Sequence, residues 1–336
     1  MNKEMDKLHS YLLDLTGLVV FVIVVYVVMF SQFAGEQVLN HLPNSFQQLN
    51  TIFLSILIEA IPFVLIGVFI AGFIQIFISE EHIRKWIPKN RWLGIFMGCV
   101  VGALFPACEC GIVPIIRRLV AKGVPIYVAI GFMLTGPLIN PIVVLSTYMA
   151  FGNDAKMALL RMGIGFLAAL MIACIISVFY KTNQLKHAIN NSSSNHVHHH
   201  SQTFLQRLEG MIKHSIDEFF DMGKFLIIGA FIAAFVQIYV SAQSLLLLGD
   251  GVIGSTIVMM GLAYFLSLCS EADAFIGASF MNLFTPTSIL AFLVYGPMID
   301  LKNTIMLLSV FRAKFVFALL VTITAIVFIF VSLIGL

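Results

Sequence analysis

The sequence predicts an all-α polytopic membrane protein, with two inverted repeats that together hold about seven spanning helices and two re-entrant hairpins. Hydrophobic residues make up 60% of the 336 residues and charged residues only 11%, whereas soluble domains contain about 25% charged residues. Long apolar runs follow one another along the chain, and similar segments recur on both sides of a polar middle stretch. The apolar runs cover approximately residues 15–34, 51–78, 93–116, 124–150, 157–180, 219–241, 252–283, 286–299 and 304–334.

The polar middle stretch separates two groups of apolar runs and divides the chain into four regions. We expect an N-terminal membrane helix and external loop at residues 1–50, a first transmembrane repeat at 51–180, a cytoplasmic linker rich in His, Ser and Asn at 181–218, and a second transmembrane repeat at 219–336. The net charge of +2 comes from short basic clusters between the apolar runs. Such clusters report membrane topology, and they do not predict nucleic-acid binding.

Matched segments in the same order predict an internal duplication. Residues 63–76 read FVLIGVFIAGFIQI and residues 225–238 read FLIIGAFIAAFVQI, with identity at nine of fourteen positions. Further along the chain, Cys108 aligns with Cys269, and the segment GPLIN aligns with GPMID, at nearly the same offset. Chance similarity between apolar helices could produce the first match, but it hardly explains the ordered set of three.

Basic residues predict that the two repeats have opposite orientations. The clusters at residues 84–91 and 117–122 flank the apolar run at 93–116, and both clusters should be cytoplasmic. A full span between them would place one cluster outside, so the run should enter and leave on the same side. The same turn in the run at 252–283 gives a second hairpin that enters from the outside, and this topology puts Lys302 on the cytoplasmic side. The alternative topology has nine full spans.

Two helix breaks that carry cysteines and carboxylates are the strongest functional signal. FPACECG at residues 105–111 and SLCSEAD at residues 267–273 both lie inside apolar runs. A break at membrane depth is tolerated only where protein or a water-filled cavity satisfies the backbone. If the two hairpin tips meet, Cys108, Cys110 and Cys269 supply up to three sulfurs, which suit soft, thiophilic solutes such as trivalent arsenicals. The alternative is that these cysteines are small apolar fillers of the core.

Carboxylates within the apolar runs are the candidates for proton coupling. Inserting an Asp at the centre of a membrane helix costs about 2.5–3.5 kcal/mol on the translocon scale, so such residues are functional by default. Glu109, Glu271 and Asp273 fall in this class. We expect them to contribute to solute binding and to couple proton entry to solute exit, with a structural ion pair or a capped helix end as the alternative.

Four further polar residues occupy matching places in the two repeats. Asn140 and Asp300 follow the paired Gly-Pro breaks; they would line the pathway between the repeats, or else cap the local helices. Glu59 and Asp221 stand near the starts of the repeats. Because interfacial helix ends tolerate charge, we interpret these two as ordinary charges without a role in the site.

The linker carries a histidine tract, and the chain lacks a nucleotide-binding signature. His-rich tracts bind divalent metals, so a metal site is one interpretation of the tract, and a flexible polar linker is the other. No segment matches the GxxxxGK[ST] phosphate-binding loop, and we expect neither ATP-driven transport by this chain alone, nor enzymatic activity, nor a cofactor. The candidate metal ligands are His196, His198, His199 and His200.

Several motifs give the chain a resemblance to a known family. The segments FPACECGIVPIIRRLVAKGVP and GFMLTGPLINP, followed later by CSEADAF and YGPMID, resemble the predicted permease family of the UPF0718 type, which includes bacterial organoarsenical and arsenite efflux permeases. The resemblance covers nearly the whole chain after the first apolar run. It implies an inner-membrane permease with a thiol-bearing central site. The residues that it supports are Cys108, Glu109, Cys110, Gly111, Pro114, Cys269, Glu271 and Asp273.

Together these patterns predict a secondary-transport permease of the bacterial cytoplasmic (inner) membrane. The first expectation is proton-coupled efflux of a soft thiophilic solute, with trivalent arsenicals as the first candidate. The alternatives are a permease for a divalent metal, a sulfur-containing anion or a small metabolite, and a membrane thiol-redox component. The expected partners are the small solute, the lipid bilayer, and either a second copy of the chain or a partner membrane subunit, with no nucleic acid.

Overall fold

The computed structural model describes residues 44–88, 90–180, 184–186, 204–239 and 251–334. The predicted N-terminal helix at residues 15–34 and the histidine tract of the linker lie outside the described residues. The chain divides into two compact units, Met1–Ser55 and Ile56–Leu336. The described residues of the first unit, 44–55, belong to the first turns of one helix.

Helices account for nearly all of the described residues. Extended pairing within the described part is limited to an isolated antiparallel bridge between Leu185 and Phe311. The helices are α1 (Asn44–Phe77), α2 (Glu80–Trp86), α3 (Arg91–Leu104), α4 (Glu109–Ala121), α5 (Ile126–Ile139), α6 (Pro141–Ala150), α7 (Ala155–Phe179), α8 (Phe204–Tyr239), α9 (Gly251–Leu266), α10 (Ser270–Ser279), α11 (Pro286–Met298), α12 (Leu301–Val310) and α13 (Ala313–Ile334).

Six segments of the described chain are long and apolar enough to cross a bilayer, which confirms the prediction of a helical polytopic membrane protein. At a rise of 1.5 Å per residue, about 20 residues are needed for the hydrocarbon core. The helices α3 and α9 are apolar but shorter. The six segments are Ser45–Phe77, Ile126–Ala150, Ala155–Phe179, Leu208–Tyr239, Pro286–Val310 and Ala313–Ile334.

Two of these segments form the centre of the bundle, and both are broken helices. The segment with α5 and α6 is 78% buried over its most apolar stretch, and the segment with α11 and α12 is 83% buried, against 22% to 44% for the other four. The helices α5 and α11 pack against each other. The core is therefore built from the two segments that carry the matched Gly-Pro breaks.

The helices α3 and α4 form a hairpin. A methyl group added at Gly98 would lie 2.6 Å from the carbonyl oxygen of Val128, and one added at Gly102 would lie 2.5 Å from that of Phe132. The backbones of α3 and α5 are thus in close contact and run parallel. Because α4 connects the end of α3 to the start of α5, it runs back alongside them, and its start lies near the end of α5.

The helices α9 and α10 form a second hairpin of the same kind. The Ser255 and Ser288 hydroxyls are 2.7 Å apart, and a methyl group added at Gly296 would lie 3.6 Å from Cβ of Ala263. The helices α9 and α11 therefore run parallel. The first turn of α10 lies at the far end of α11, since the same methyl group at Gly296 would be 2.7 Å from Oδ2 of Asp273.

The second arm of each hairpin packs on a helix from the other half of the chain. The second arm of the first hairpin, α4, packs on α12, and the second arm of the second hairpin, α10, packs on α6. The helices α1 and α8 carry the matched segments of the duplication and run in opposite directions. The Ser215 hydroxyl donates to the Val68 carbonyl at 3.2 Å, and a methyl group at Gly210 would lie 3.8 Å from Cδ1 of Ile76.

Candidate functional site

The tip of the first hairpin places two cysteines and a glutamate at the start of α4. The chain leaves α3 at Leu104, and Pro106 interrupts the helix because it has no N–H to donate. Cys108 is the N-cap of α4, with extended backbone angles and no side-chain capping bond. Glu109 and Cys110 follow in the first turn and are buried. The unpaired N–H groups of this turn therefore face whatever occupies the tip.

The tip of the second hairpin has the same construction. Ser267 adopts a left-handed backbone with φ of 47°, which turns the chain after α9. Cys269 is the N-cap of α10, and its sulfur accepts a hydrogen bond from the Ala272 N–H at 3.4 Å. Cys269 is half-buried, whereas Ser270 is fully buried.

The two tips meet at a small, partly open cavity. The structure brings together all three cysteines that the sequence singled out, along with Glu109. It adds two charged residues, Glu59 and Lys302, that sequence reasoning left out of the site. The lining residues are Ile56, Glu59, Ala60, Phe63, Cys108, Glu109, Cys110, Cys269 and Lys302.

Lys302 is the main correction to the sequence-based topology, which placed it at the cytoplasmic side. Its side chain is buried, with Nζ 3.3 Å from Oε1 of Glu109 and 3.5 Å from Oδ2 of Asp300. It also donates to the Ser267 carbonyl at 3.2 Å. The reason is that the chain breaks after α11 and begins α12 inside the bundle, so that the first turn of α12 faces the tip of α4. A lone lysine between two closely spaced apolar runs was the signal that could have found it.

Glu59 was interpreted as an interfacial charge, and the structure places it on the cavity instead. Its side chain is exposed yet lines the cavity together with Cys269. It precedes Phe63 by one helical turn, and Phe63 touches the first turn of α4 at Gly111. Its matched residue Asp221 is half-exposed and lies 3.1 Å from Lys224, which fits an ordinary charge.

Asn140 and Asp300 act as helix caps in the structure. Oδ1 of Asn140 accepts from the Val143 N–H at 2.9 Å at the start of α6. Oδ1 of Asp300 accepts from the Asn303 N–H at 2.5 Å at the start of α12. Neither residue lines the cavity. Asp300 contributes to the site indirectly, through its ion pair with Lys302.

Asp273 and Glu271 lie in the first turn of α10, away from the cavity lining. Asp273 is buried, and Glu271 is half-buried. The buried Arg161 of α7 reaches the same turn, where Nη2 donates to the Ser270 carbonyl at 2.9 Å and Nη1 donates to Oγ1 of Thr147 at 2.7 Å. Sequence reasoning missed Arg161, although an arginine inside an apolar run was a visible signal.

The two remaining cysteines, Cys99 and Cys174, do not line the cavity. Cys99 is buried in the contact between α3 and α5, where its carbonyl accepts from the Thr135 hydroxyl at 2.8 Å. Cys174 is a half-buried residue of α7. Within the described ranges, no group of three or more His, Cys, Asp and Glu side chains is arranged to hold a metal ion. The four candidate histidines at residues 196–200 fall outside those ranges.

Comparisons with known proteins identify one matching family model and several relatives. A family model described as predicted permease matches residues 45–336. The UPF0718 protein YcgR of Bacillus subtilis is 54% identical over 284 residues, which cover 84% of this chain and 96% of that protein. A Streptococcus mutans protein named as a subunit of a two-component membrane permease complex is 41% identical over 300 residues, 89% of this chain and 98% of its own. A UPF0718 protein of Methanocaldococcus jannaschii is 24% identical over 143 residues, 42% of this chain and 39% of its own. No solved structure matches the chain.

Proposed function

The chain belongs to the predicted permease family, and from that premise we propose that it is a secondary transporter that exports a small thiophilic solute across the bacterial inner membrane. Family membership indicates a transporter rather than an enzyme. The observation that carries the choice of solute is the convergence of Cys108, Cys110 and Cys269 on one small cavity. These cysteines come from two separate helix breaks, as expected of a central site in a transporter.

Trivalent arsenicals are the solute class that the thiols of this cavity favour chemically. Thiols bind soft centres in preference to hard ones. A methylarsenite molecule carries two hydroxyl groups, and each As–S bond forms as one As–O bond breaks. The proton of the thiol leaves with the hydroxyl group as water, so the exchange needs no oxidant or reductant. Two or three thiols within reach of one another are sufficient, and the three cysteines that line the cavity support this choice.

The charges around the cavity argue against an anion. Lys302 has two carboxylate neighbours, Glu109 at 3.3 Å and Asp300 at 3.5 Å, and Glu59 also lines the cavity. Taken as ionised groups, these residues carry no net positive charge. A neutral solute such as an undissociated arsenous acid avoids the repulsion that a sulfur-containing anion would meet.

In the proposed mechanism, the two hairpins and the broken central helices carry out transport. We take the two halves as inverted repeats, a proposal that the opposite directions of α1 and α8 support. The hairpin tips then meet near the middle of the bilayer, and rocking of one half against the other opens the cavity to alternate sides. A proton that binds to one of the buried carboxyls, Glu109, Glu271 or Asp273, drives the export step.

Uptake by everted membrane vesicles tests this proposal. Vesicles with the full chain are given methylarsenite, arsenite or zinc under an imposed pH gradient, and accumulation is compared with that of a Cys108→Ser/Cys110→Ser/Cys269→Ser variant. We expect cysteine-dependent accumulation of methylarsenite, reduced about tenfold or more in the variant, the loss that about 1.4 kcal/mol of binding free energy produces.

A matched control comes from the two cysteines away from the cavity. A Cys99→Ser/Cys174→Ser variant should accumulate methylarsenite as the parent does, since neither thiol lines the cavity. Equal transport by the parent and the triple variant would rule out the thiol site. Accumulation of zinc in place of the arsenicals would support the divalent-metal alternative.

A further inference from the structure

A second buried polar cluster lies beyond the cavity, at the tip of the second hairpin. It consists of Arg161, Thr147, Ser270 and Asp273, all of which are buried. Arg161 belongs to α7 in the first half of the chain, whereas Ser270 and Asp273 belong to α10 in the second half. The Arg161 guanidinium thus ties the second hairpin to the first half by its bonds to Ser270 and Thr147.

Three polar atoms of this cluster have no hydrogen-bond partner among the described residues. They are Oδ2 of Asp273, Nε of Arg161 and Oγ of Ser270. A buried polar atom without a partner costs about 1–3 kcal/mol, and more if it is charged. Asp273 has an unused acceptor and Arg161 has an unused donor. Both terminal nitrogens of the guanidinium, however, bind other groups, namely Thr147 and the Ser270 carbonyl.

The three candidate carboxyls differ in how they are satisfied. Glu109 is already in an ion pair with Lys302. Glu271 is half-buried and not confined to the protein interior. Asp273 combines full burial, an unpaired oxygen and an arginine that is bound to other groups. Oε2 of Glu109 also lacks a partner, but its Oε1 is held by Lys302. Of the three, Asp273 is the fully buried carboxyl that forms no ion pair among the described residues, so a proton on it disrupts no existing pair.

We propose that Asp273 is the binding site of the coupling proton, separate from the solute cavity, and that Arg161 is its positioning residue. This inference rests on the proposed transport function and assigns its coupling step to one carboxyl. A proton from the aqueous phase adds to the Asp273 carboxylate, and the neutral acid leaves Arg161 bound to Ser270 and Thr147, as the structure shows. When the proton leaves to the opposite aqueous phase, the carboxylate draws the Arg161 guanidinium to itself and releases the hairpin tip.

Other charged groups surround Asp273 and set the field in which it acts. Arg161 is the cation that faces it from α7, and Glu271 and Cys269 stand on or next to its own helix. Two tyrosines, Tyr148 of α6 and Tyr295 of α11, belong to the helices packed on α10. The more distant charges that face it are Glu109, Asp300 and Lys302.

Two transport assays on the same vesicles separate coupling from solute movement. Methylarsenite accumulation driven by a pH gradient requires the proton site, whereas exchange of labelled for unlabelled methylarsenite at equal pH does not. Asp273→Asn should lower gradient-driven accumulation about tenfold or more and change the exchange rate by no more than about twofold. The matched control is Asp154→Asn at the exposed N-cap of α7, where Asn caps as well as Asp does; it should leave both rates unchanged.

A readout without solute makes the inference independent of the arsenical assignment. The infrared band of a protonated carboxylic acid is recorded against pH for the purified chain in lipid vesicles. We expect a band that is present in the parent, absent in Asp273→Asn, and shifted in its pH dependence more by Arg161→Gln than by Arg161→Lys. Presence of the same band in Asp273→Asn, or loss of coupling in Glu271→Gln with none in Asp273→Asn, would overturn the assignment. If methylarsenite is not transported but the band behaves as expected, the proton site stands and the solute assignment fails.

Discussion

At the residue scale, the arrangement of charge at the cavity is set by Lys302. A buried ammonium group is tolerated only where it is paired and hydrogen-bonded, and Lys302 meets this requirement with Glu109, Asp300 and the Ser267 carbonyl. The pairs join α4 of the first half to α12 of the second half. The same side chain therefore shapes the solute cavity and fixes the first hairpin tip to the opposite half.

Loss of the Lys302 charge should destabilise the protein more than loss of an exposed lysine. Lys302→Met leaves two buried carboxylates without their cation, and breaking a buried ion pair from one side costs about 3–5 kcal/mol. We expect a lower thermal unfolding midpoint in detergent, measured by loss of the monodisperse peak in size-exclusion chromatography after heating. The double variant Lys302→Met/Glu109→Gln should recover part of the loss.

The matched control for this change is Lys156→Met, since Lys156 is exposed at the start of α7. The Lys156→Met variant should have the same thermal unfolding midpoint as the parent. An unfolding midpoint for Lys302→Met equal to that of the parent would show that the ion pairs contribute nothing to stability.

The residues of the site could be predicted from the sequence only in part. Cys108, Glu109, Cys110 and Cys269 were found because each stands at a visible break in an apolar run. Lys302, Glu59 and Arg161 were not, because their roles depend on which helix of the other half packs against them. A sequence shows that a charge lies in an apolar run, but its partner is decided by tertiary packing.

At the element scale, close approach of helix backbones holds the first hairpin tip in place. A methyl group added at Gly111 of α4 would lie 2.6 Å from the carbonyl oxygen of Phe63 in α1. Gly67 of α1 lies against the Gly111 backbone in the same contact. Small residues permit this approach, which is the usual means of helix association within membranes. The position of α4 against α1 in turn sets the distance between Glu59 and the cysteines.

Enlarging Gly111 should therefore displace the hairpin tip. Gly111→Ala forces the backbones of α4 and α1 apart, and overpacking of a tight contact costs about 1–3 kcal/mol. We expect a lower unfolding midpoint and weaker methylarsenite accumulation in the same vesicles. The control is Gly261→Ala in α9, where an added methyl group meets no atom within 4 Å and helix propensity favours Ala by up to about 1 kcal/mol. If both variants behave like the parent, the close contact has no role in positioning α4.

The helix boundaries were predictable where the chain itself breaks the helix. Pro106 and the segment around Cys269 marked both hairpin tips. The sequence located the two central breaks less accurately, because Pro137 and Pro297 lie inside the last turns of α5 and α11 and do not end these helices themselves. A proline near a helix C-terminus is tolerated when the freed carbonyl finds other partners. The segment with α11 and α12 accordingly runs from Pro286 to Val310, and not only to residue 299.

At the scale of the whole molecule, each hairpin is held by the half to which it does not belong. The first hairpin meets Lys302 of the second half, and the second hairpin meets Arg161 of the first half. A further ion pair ties the far end of α4 to α8, with Nη1 of Arg117 2.8 Å from Oε1 of Glu218. Movement of either hairpin would therefore disturb contacts in both halves.

The same contacts fix which loops lie on one side of the bundle. Arg117, near the end of α4, contacts Glu218 of α8, and the Ser309 hydroxyl at the end of α12 lies 4.0 Å from the sulfur of Met222 in α8. The ends of α4 and α12 are thus on one side. Since α11 and α12 form one crossing segment, the loop before α11 lies on the opposite side from the loop after α4.

Labelling of single cysteines tests this arrangement in cells. Lys85→Cys and Asn282→Cys, both at exposed positions, are introduced into a chain whose native cysteines are replaced by Ser. Because basic clusters stay in the cytoplasm, a membrane-impermeant maleimide should label Asn282→Cys in intact cells and Lys85→Cys only after permeabilisation. Asp154→Cys, in the loop between α6 and α7, should behave like Asn282→Cys. Labelling of residues 85 and 282 from the same side would exclude opposite entry of the two hairpins and with it the alternating-access scheme built on them.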